Sequence, residues 1–424
     1  MTDVEASRAA GLERTAGPLL IMLAAPPFAL MMWSALARHD GSLAALLSEG
    51  IDWPRPSLAA FAILLGFAVF QALLLMLLPG RTVLGPPTPA GARMRYTDNA
   101  ALAWTITHIA FLALLFSGLM PPGLIFDELG ALLLVGSIAG ILGTALLYAK
   151  GRLAASGADR GPSGNAVFDF YWGIELHPRI GGLDLKLLAI SRVGMMGWSL
   201  IVLSFVARDY WQTGAVTNAL AVSAALQIAY VARFMWWEAG YIATLDIAHD
   251  RFGFYLLWGV LGWLPAIYPS AALYLAAHPV ALGTLPALAL LAIGGGALVL
   301  THLADAQRQR VRASDGQCLV WGRRPDVIRV RYHSLKGSEE GLLLVSGFWG
   351  LARHFNYASE ILLALAWTLP CGSGALLPYF YPAYLAVMLV HRALRDDRRC
   401  RRKYGASWDA YCARVPYRML PGIF

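Results

Sequence analysis

Residues 58–79 run LAAFAILLGFAVFQALLLMLLP without a single charge. The hydrocarbon core of a bilayer is about 30 Å thick, and an α-helix needs roughly 20 apolar residues to cross it. Inside lipid, every backbone N–H and C=O must pair within its own segment or within a closed barrel. A run of this length and composition is therefore a membrane helix. Stretches of the same character recur at 17–38, 99–119, 126–149, 187–207, 215–237, 253–276 and 280–302. A less regular pair, 341–368 and 374–392, is separated by PCGSG. This pattern predicts an all-α polytopic membrane protein with about ten transmembrane helices. Composition agrees: 58% of the 424 residues are hydrophobic and 14% charged, where a soluble chain carries about a quarter.

The formal net charge of +8 would suit nucleic acid in a soluble protein. Here the cations gather in connecting segments, above all 303–340 and 391–418. Basic loops of this kind face the cytoplasm by the positive-inside rule, where they meet anionic lipid headgroups. Nucleic acid is not an expected partner, and no obligate protein partner is evident. The four cysteines, Cys318, Cys371, Cys400 and Cys412, form no CxxC pair and no zinc spacing with histidine. Neither a metal site nor a disulfide framework is expected, because three of the four fall in segments placed on the reducing side. The N-terminus reads as a short solvated tail leading into a retained helix. No internal repeat is visible, which speaks against an inverted-repeat transporter. Residues 1–150 read as scaffold helices, and 151–424 as the half that carries function. The link 150–185 is rich in Gly and Pro, yet its FDFYWGIELHPRIG is too aromatic for a plain linker.

Four stretches carry chemistry. In 238–274, Glu238, Asp246, His249 and Asp250 lie between apolar spans. Ionisable groups within membrane segments mark pathways or active sites, although an interfacial turn explains any one of them equally well. On a continuous helix Glu238 and Asp246, eight apart, share a face. Tyr268 follows Pro265, which bends a helix; it is either a packing residue or a proton donor to an apolar substrate. In 301–325, Arg308 and Arg312 are one turn apart. Paired guanidiniums suit a phosphate dianion, or simply a headgroup anchor. No GxGxxG or GxxxxGK[ST] motif occurs. The stretch LLVSGFWGLARHFNY at 343–357 puts Arg353, His354 and Asn356 in an apolar segment. In the tail, Asp396, Tyr404, Trp408 and Tyr411 interleave with cations, a mixture suited to a nucleotide.

Together these residues resemble the sterol reductase family, membrane enzymes that reduce the C14 or C7 double bonds of sterols. FDFYWGIELHPRIG, LDIAHDRFGFYLLWG, DGQCLVWGRRPDVI, LLVSGFWGLARHFNY, LLPYFYPAYLAVMLVHRALRD and the terminal KYGASWDAYCARVPYRMLPGIF are all similar to family segments in the same order. The resemblance covers residues 165 onward; the first 150 match in hydropathy alone. C14 reductases tend to read DGFGF after the Asp-Ile pair. HDRFGFY looks instead like the C7 branch, the 7-dehydrocholesterol reductases. AIYPSAALYL carries Ala-Ala where typical members have Leu-Gln, a departure that concerns contacts with the substrate side chain.

The resemblance implies a cytoplasm-facing NADPH pocket in the C-terminal half and a second pocket that takes a sterol from the bilayer. Carried over by position, the cofactor pattern falls on Arg308, usually lysine in the family, and on Arg312. It continues through Leu344, Trp349, Asn356, Tyr357, Asp396, Cys400, Arg401, Arg402, Lys403, Tyr404 and Tyr411. The implied reaction is NADPH-dependent reduction of C7=C8. An unactivated alkene first takes a proton and then a hydride, with Tyr268 as donor and Asp246 or Glu238 as relay. Competing readings are a C14 reductase, a non-catalytic sterol-binding membrane protein, and a membrane methyltransferase of the isoprenylcysteine type, whose cofactor has no phosphate. The Ala-, Leu- and Arg-rich composition favours a bacterial inner membrane over endoplasmic reticulum.

Overall fold

A computed structural model describes residues 3–334 and 337–424. The chain is mainly helical and divides into two compact units: residues 1–281 with Cys371–Pro378, and Leu282–Pro370 with Tyr379–Phe424. Seven helices are long and apolar enough to cross a membrane: Arg14–Arg38, Leu58–Leu77, Leu129–Leu153, Leu185–Thr213, Asn218–Trp236, Phe254–Ala277 and Thr284–Ala313. A shorter apolar helix spans Ala100–Phe116. The chain is thus an integral, multi-pass membrane protein.

The expected span at 341–368 is not one helix. Gly337–Leu344 is a β-strand paired antiparallel with Val327–Ser334, from Val327 opposite Leu344 to Ser334 opposite Gly337. A short helix, Phe348–Leu351, and then Phe355–Thr368 follow. Two smaller antiparallel pairs, Arg81–Pro87 with Arg93–Asp98 and Arg179–Ile180 with Leu183–Asp184, also qualify the all-α expectation.

Local chemistry explains the breaks in the first unit. Ser57 caps helix Leu58–Leu77 by accepting from the Ala60 amide at 2.9 Å, and Thr217 starts Asn218–Trp236 from β-region backbone. Gly214, in the left-handed region at φ 77°, ends the helix before it. Two spans contain π-helical turns, Leu188–Met195 and Gly259–Trp263. The second lies just before Pro265, which has no N–H for the Leu261 carbonyl four residues back. Gly136 of helix Leu129–Leu153 packs directly against that carbonyl, with no room for a Cβ.

The link 150–185 is folded. Asn165 caps the short helix Ala166–Trp172, and its rings stack onward: Trp172 lies on Tyr255 at 5.2 Å and Phe254 on Trp258 at 5.1 Å. Gly173 and Gly253 cross backbone to backbone, and a Cβ on either would stand within 3 Å of the other's main chain. In the second unit the hairpin buries both faces with period two. Leu342 and Leu344 pack with Val311, Val320 and Trp349, while Val330 and Leu343 pack with Trp408, Tyr411 and Val415.

Candidate functional site

The second unit gathers most of the residues expected at a cofactor site. Near the end of helix Thr284–Ala313, the Arg308 guanidinium carbon lies 4.1 Å from the ring centre of Trp349, a cation–π geometry. Trp349 is fixed from three sides. Its indole donates to the Ala304 carbonyl at 2.7 Å, the Tyr411 hydroxyl donates to its carbonyl at 3.4 Å, and Leu344 packs in the same cluster. Gln307 holds the preceding turn by accepting from the Phe348 amide at 2.9 Å. Gly347 turns there at φ 64°, and a Cβ would collide with the Gln307 amide.

Asp305 ties this face to the next helix. It lies 4.0 Å from Arg308 and accepts from the Asn356 side chain at 3.3 Å. Asn356 is 8% exposed, and its other amide atom, Oδ1, has no hydrogen-bond partner among the described residues. Tyr357 stacks on His354 at 4.8 Å, and His354 approaches Asp396 at 3.8 Å. On helix Phe380–Tyr404, the residues Asp396, Cys400, Lys403 and Tyr404 share one stripe. Burial, reinforced by Asp396, pushes the Cys400 thiol up to about 12, so it stays neutral at physiological pH. Burial also raises the phenols of Tyr404 and Tyr411, against the pull of Arg312 and Arg399 on the first and of Arg353 and Arg308 on the second. These groups therefore keep their protons at physiological pH while standing among cations.

The tail residues divide. Lys403 lies over the Tyr332 ring at 3.9 Å. Arg401 turns to Asp409 at 3.1 Å and Asp397 at 3.9 Å, while Arg402 is exposed. Arg312 is exposed one turn beyond Arg308. Asp397, also bonded by Trp408 at 3.0 Å and near Arg353 at 3.9 Å, braces the final helix. Asp305, Gln307 and Asp397 escaped the sequence reading. The signal for Asp305 was its place three residues before Arg308 on the same face.

In the first unit the three expected catalytic residues lie in different settings. Glu238 and Asp246 are not on one helix: Glu238–Ile242 and Leu245–Ala248 are separate short turns. Glu238 is fully buried and paired with Arg192, equally buried, at 2.5 and 2.9 Å. Its carboxylate also accepts from Ser191 and from the Asn99 and Ala100 amides that open helix Ala100–Phe116. The Asn99 side-chain oxygen takes a further bond from Arg192 at 2.7 Å. Arg192 was missed although its signal was present, since an arginine inside LLAISRVGMMGW demands a buried partner. Asp246 is partly exposed; its carbonyl, with those of Ile247 and Asp250, accepts from the buried Lys186 ammonium. Tyr268 is half-buried, edge-on to Trp198 at 5.2 Å, and Trp198 donates to Gln227 at 2.8 Å.

The Ergosterol biosynthesis ERG4/ERG24 family matches this chain over residues 22–424. The chain belongs to this family. Among relatives, it is 42% identical over 420 residues to the 7-dehydrocholesterol reductase of Arabidopsis thaliana, covering 96% of this chain and 97% of that one. To the Xenopus laevis 7-dehydrocholesterol reductase it is 38% identical, over 88% of this chain and 82% of that one. A Delta(14)-sterol reductase from Methylotuvimicrobium alcaliphilum is 34% identical over 96% of this chain and 94% of its own length. The match to the ERG4/ERG24 family begins within the helix Arg14–Arg38, so it includes the membrane helices of the first 150 residues as well as the motif-rich half.

Proposed function

We propose that this chain reduces the C7=C8 double bond of a sterol taken from the bilayer, with NADPH as cofactor. The observation that carries the cofactor reading is Arg308 laid on Trp349 with Arg312 one turn on and Asp396 nearby. A fixed guanidinium beside a second cation suits a phosphate-bearing dinucleotide, and a carboxylate suits ribose hydroxyls. Bound NADPH supplies a hydride. Arg308 and Arg312 hold its phosphates, Asp396 its ribose, and the unpaired Asn356 oxygen a carboxamide N–H. Tyr357, Cys400, Tyr404 and Tyr411 close around them as neutral donors and apolar walls. Leu344 acts from beneath, by supporting Trp349.

Tyr268 donates the proton. A phenol keeps its proton at neutral pH, and the Trp198 ring packs against it edge-on. Asp246, partly exposed, is the better relay to water. Glu238, with both oxygens engaged by buried donors, acts by positioning the helices around it. For C7 over C14, the support is the HDRFGFY segment: Asp250 accepts from Tyr255 at 2.9 Å, and Arg251 donates to the carbonyls of Gly161 and Ile174. A DGFGF sequence supplies no such arginine. The more similar relatives are also named for C7 reduction. By composition the host membrane is a bacterial inner membrane. Incubating the full chain with NADPH and either a 5,7-diene or an 8,14-diene sterol tests the reading by mass spectrometry. Gain of two hydrogens by the 5,7-diene is expected; gain by the 8,14-diene alone transfers the assignment to C14, and gain by neither removes it.

A further inference from the structure

One tryptophan of the second unit occupies a backbone position that suits it badly. Val320 and Arg323 bond across a two-residue turn: the Val320 N–H donates to the Arg323 carbonyl at 2.8 Å, and the Arg323 N–H to the Val320 carbonyl at 3.1 Å. Trp321 and Gly322, between them, both have left-handed backbone, at φ 50° and 78°. Such a turn favours Asn-Gly, and a bulky side chain at its first position is strained. No burial offsets that strain, since Trp321 is 61% exposed and Leu319, just before the turn, 60% exposed.

The turn lies close to the edge of the bilayer. Roughly 20 residues carry a helix across the hydrocarbon core, so the helix that starts at Thr284 reaches the boundary near Leu303, itself exposed. Gln307, one turn beyond Leu303, accepts from the Phe348 amide at 2.9 Å. The Trp321 ring meets the Phe348 ring edge-on at 5.2 Å. This turn therefore sits about 6 Å past the boundary, at headgroup level, where tryptophan is enriched. The charge beside it is unbalanced. Arg323 and Arg324 are exposed, and neither guanidinium has an ion pair among the described residues. The nearby acids are already engaged, Asp315 by Arg329 at 3.0 Å and Asp326 by Arg414.

Exposed apolar side chains next to two uncompensated guanidiniums match the junction of acyl chains and anionic phosphates. We infer that the turn Val320–Arg323 is a wedge seated in the cytoplasmic leaflet, with Trp321 and Leu319 at the acyl boundary and Arg323 and Arg324 on the phosphates of anionic lipids. The strained backbone then serves to aim the ring. The anchor does not depend on which double bond the chain reduces.

The test places the full chain in nanodiscs of equal phosphatidylcholine and phosphatidylglycerol, with one lipid or the other brominated on its acyl chains near the headgroup. Bromine quenches tryptophan on contact, and wild-type emission minus that of Trp321→Asn isolates one indole of fourteen. Asparagine tolerates left-handed backbone, so this variant keeps the turn. The Trp321 component should be quenched in both preparations, and at least twofold more when phosphatidylglycerol carries the bromine. Arg323→Gln with Arg324→Gln should abolish that preference and leave the quenching. No quenching by either lipid puts the turn in water or against another protein and overturns the wedge. Equal quenching in wild type, or a preference that survives the double change, overturns the assignment of the arginines to anionic lipid. If Trp321→Asn fails to fold, the double arginine variant reads the same preference in total emission.

Discussion

Arg308 and Trp349 form a preassembled pair: the guanidinium lies 4.1 Å over the ring, and the indole is pinned to the Ala304 carbonyl on Arg308's own helix. The arginine therefore loses little further freedom on meeting an anion. Arg308→Ala should raise KM for NADPH by roughly 10- to 150-fold, the range of a hydrogen bond to a charged group, and change that for NADH much less. Arg308→Lys should fall between, because an ammonium lacks the planar fork. Equal effects on both cofactors, read by steady-state kinetics, would show that the pair does not bind the 2′-phosphate.

Tyr268→Phe keeps the ring against Trp198 and removes one hydroxyl. Turnover should drop by about 10²- to 10⁴-fold, the usual weight of a positioned acid. NADPH binding, followed by thermal stabilisation, should stay near normal. Retained turnover takes Tyr268 out of the reaction.

Glu238→Gln leaves Arg192 as a buried charge without its counterion, a change that costs about 3–5 kcal/mol. The melting temperature should fall steeply, while the protein that remains folded keeps its kcat. The double change Arg192→Met with Glu238→Gln should cost less than the single one, because no unpaired cation is left behind and the amide oxygen still caps helix Ala100–Phe116. A lowered kcat in a protein of unaltered melting temperature would return Glu238 to the proton path.

His177 gives a pH signature. Burial, with Lys186 and Arg179 nearby and against Asp184 and Asp159, holds its imidazole down to about 4, and its Nδ1 meets the Tyr96 hydroxyl at 3.2 Å. The ordinary value is about 6.5, so between these limits the unfolded chain binds the proton that the folded one refuses. Stability from this residue is complete above pH 6.5 and drains away as pH falls towards 4, by about 2 kcal/mol at pH 5. His177→Asn should show a smaller fall in melting temperature between pH 7.5 and 5 than wild type does. Identical falls would mean that the acid sensitivity lies elsewhere.

The membrane helices were legible because length and apolarity alone set them. Segment 341–344 was not: GLLL suits strand and helix equally, and the strand is decided by its partner at 327–330. The arrangement of the basic segments was legible in part. Spacing by four paired Arg308 with Arg312 from the sequence alone, whereas the ion pair of Arg401 with Asp409 comes from the helix after it, which no local spacing announces. For Glu238 and Asp246, an interval of eight implied one face only while the helix was assumed continuous. The turns at Ala243 and Thr244 break it, and no local signal announces them.

Where Gly173 meets Gly253, two stretches some eighty positions apart in the chain touch with nothing heavier than hydrogen between them. A single methyl on either would prise the aromatic link off the segment HDRFGFY. Neither glycine is free to vary alone, because the main chain of each occupies the space a side chain on the other would need.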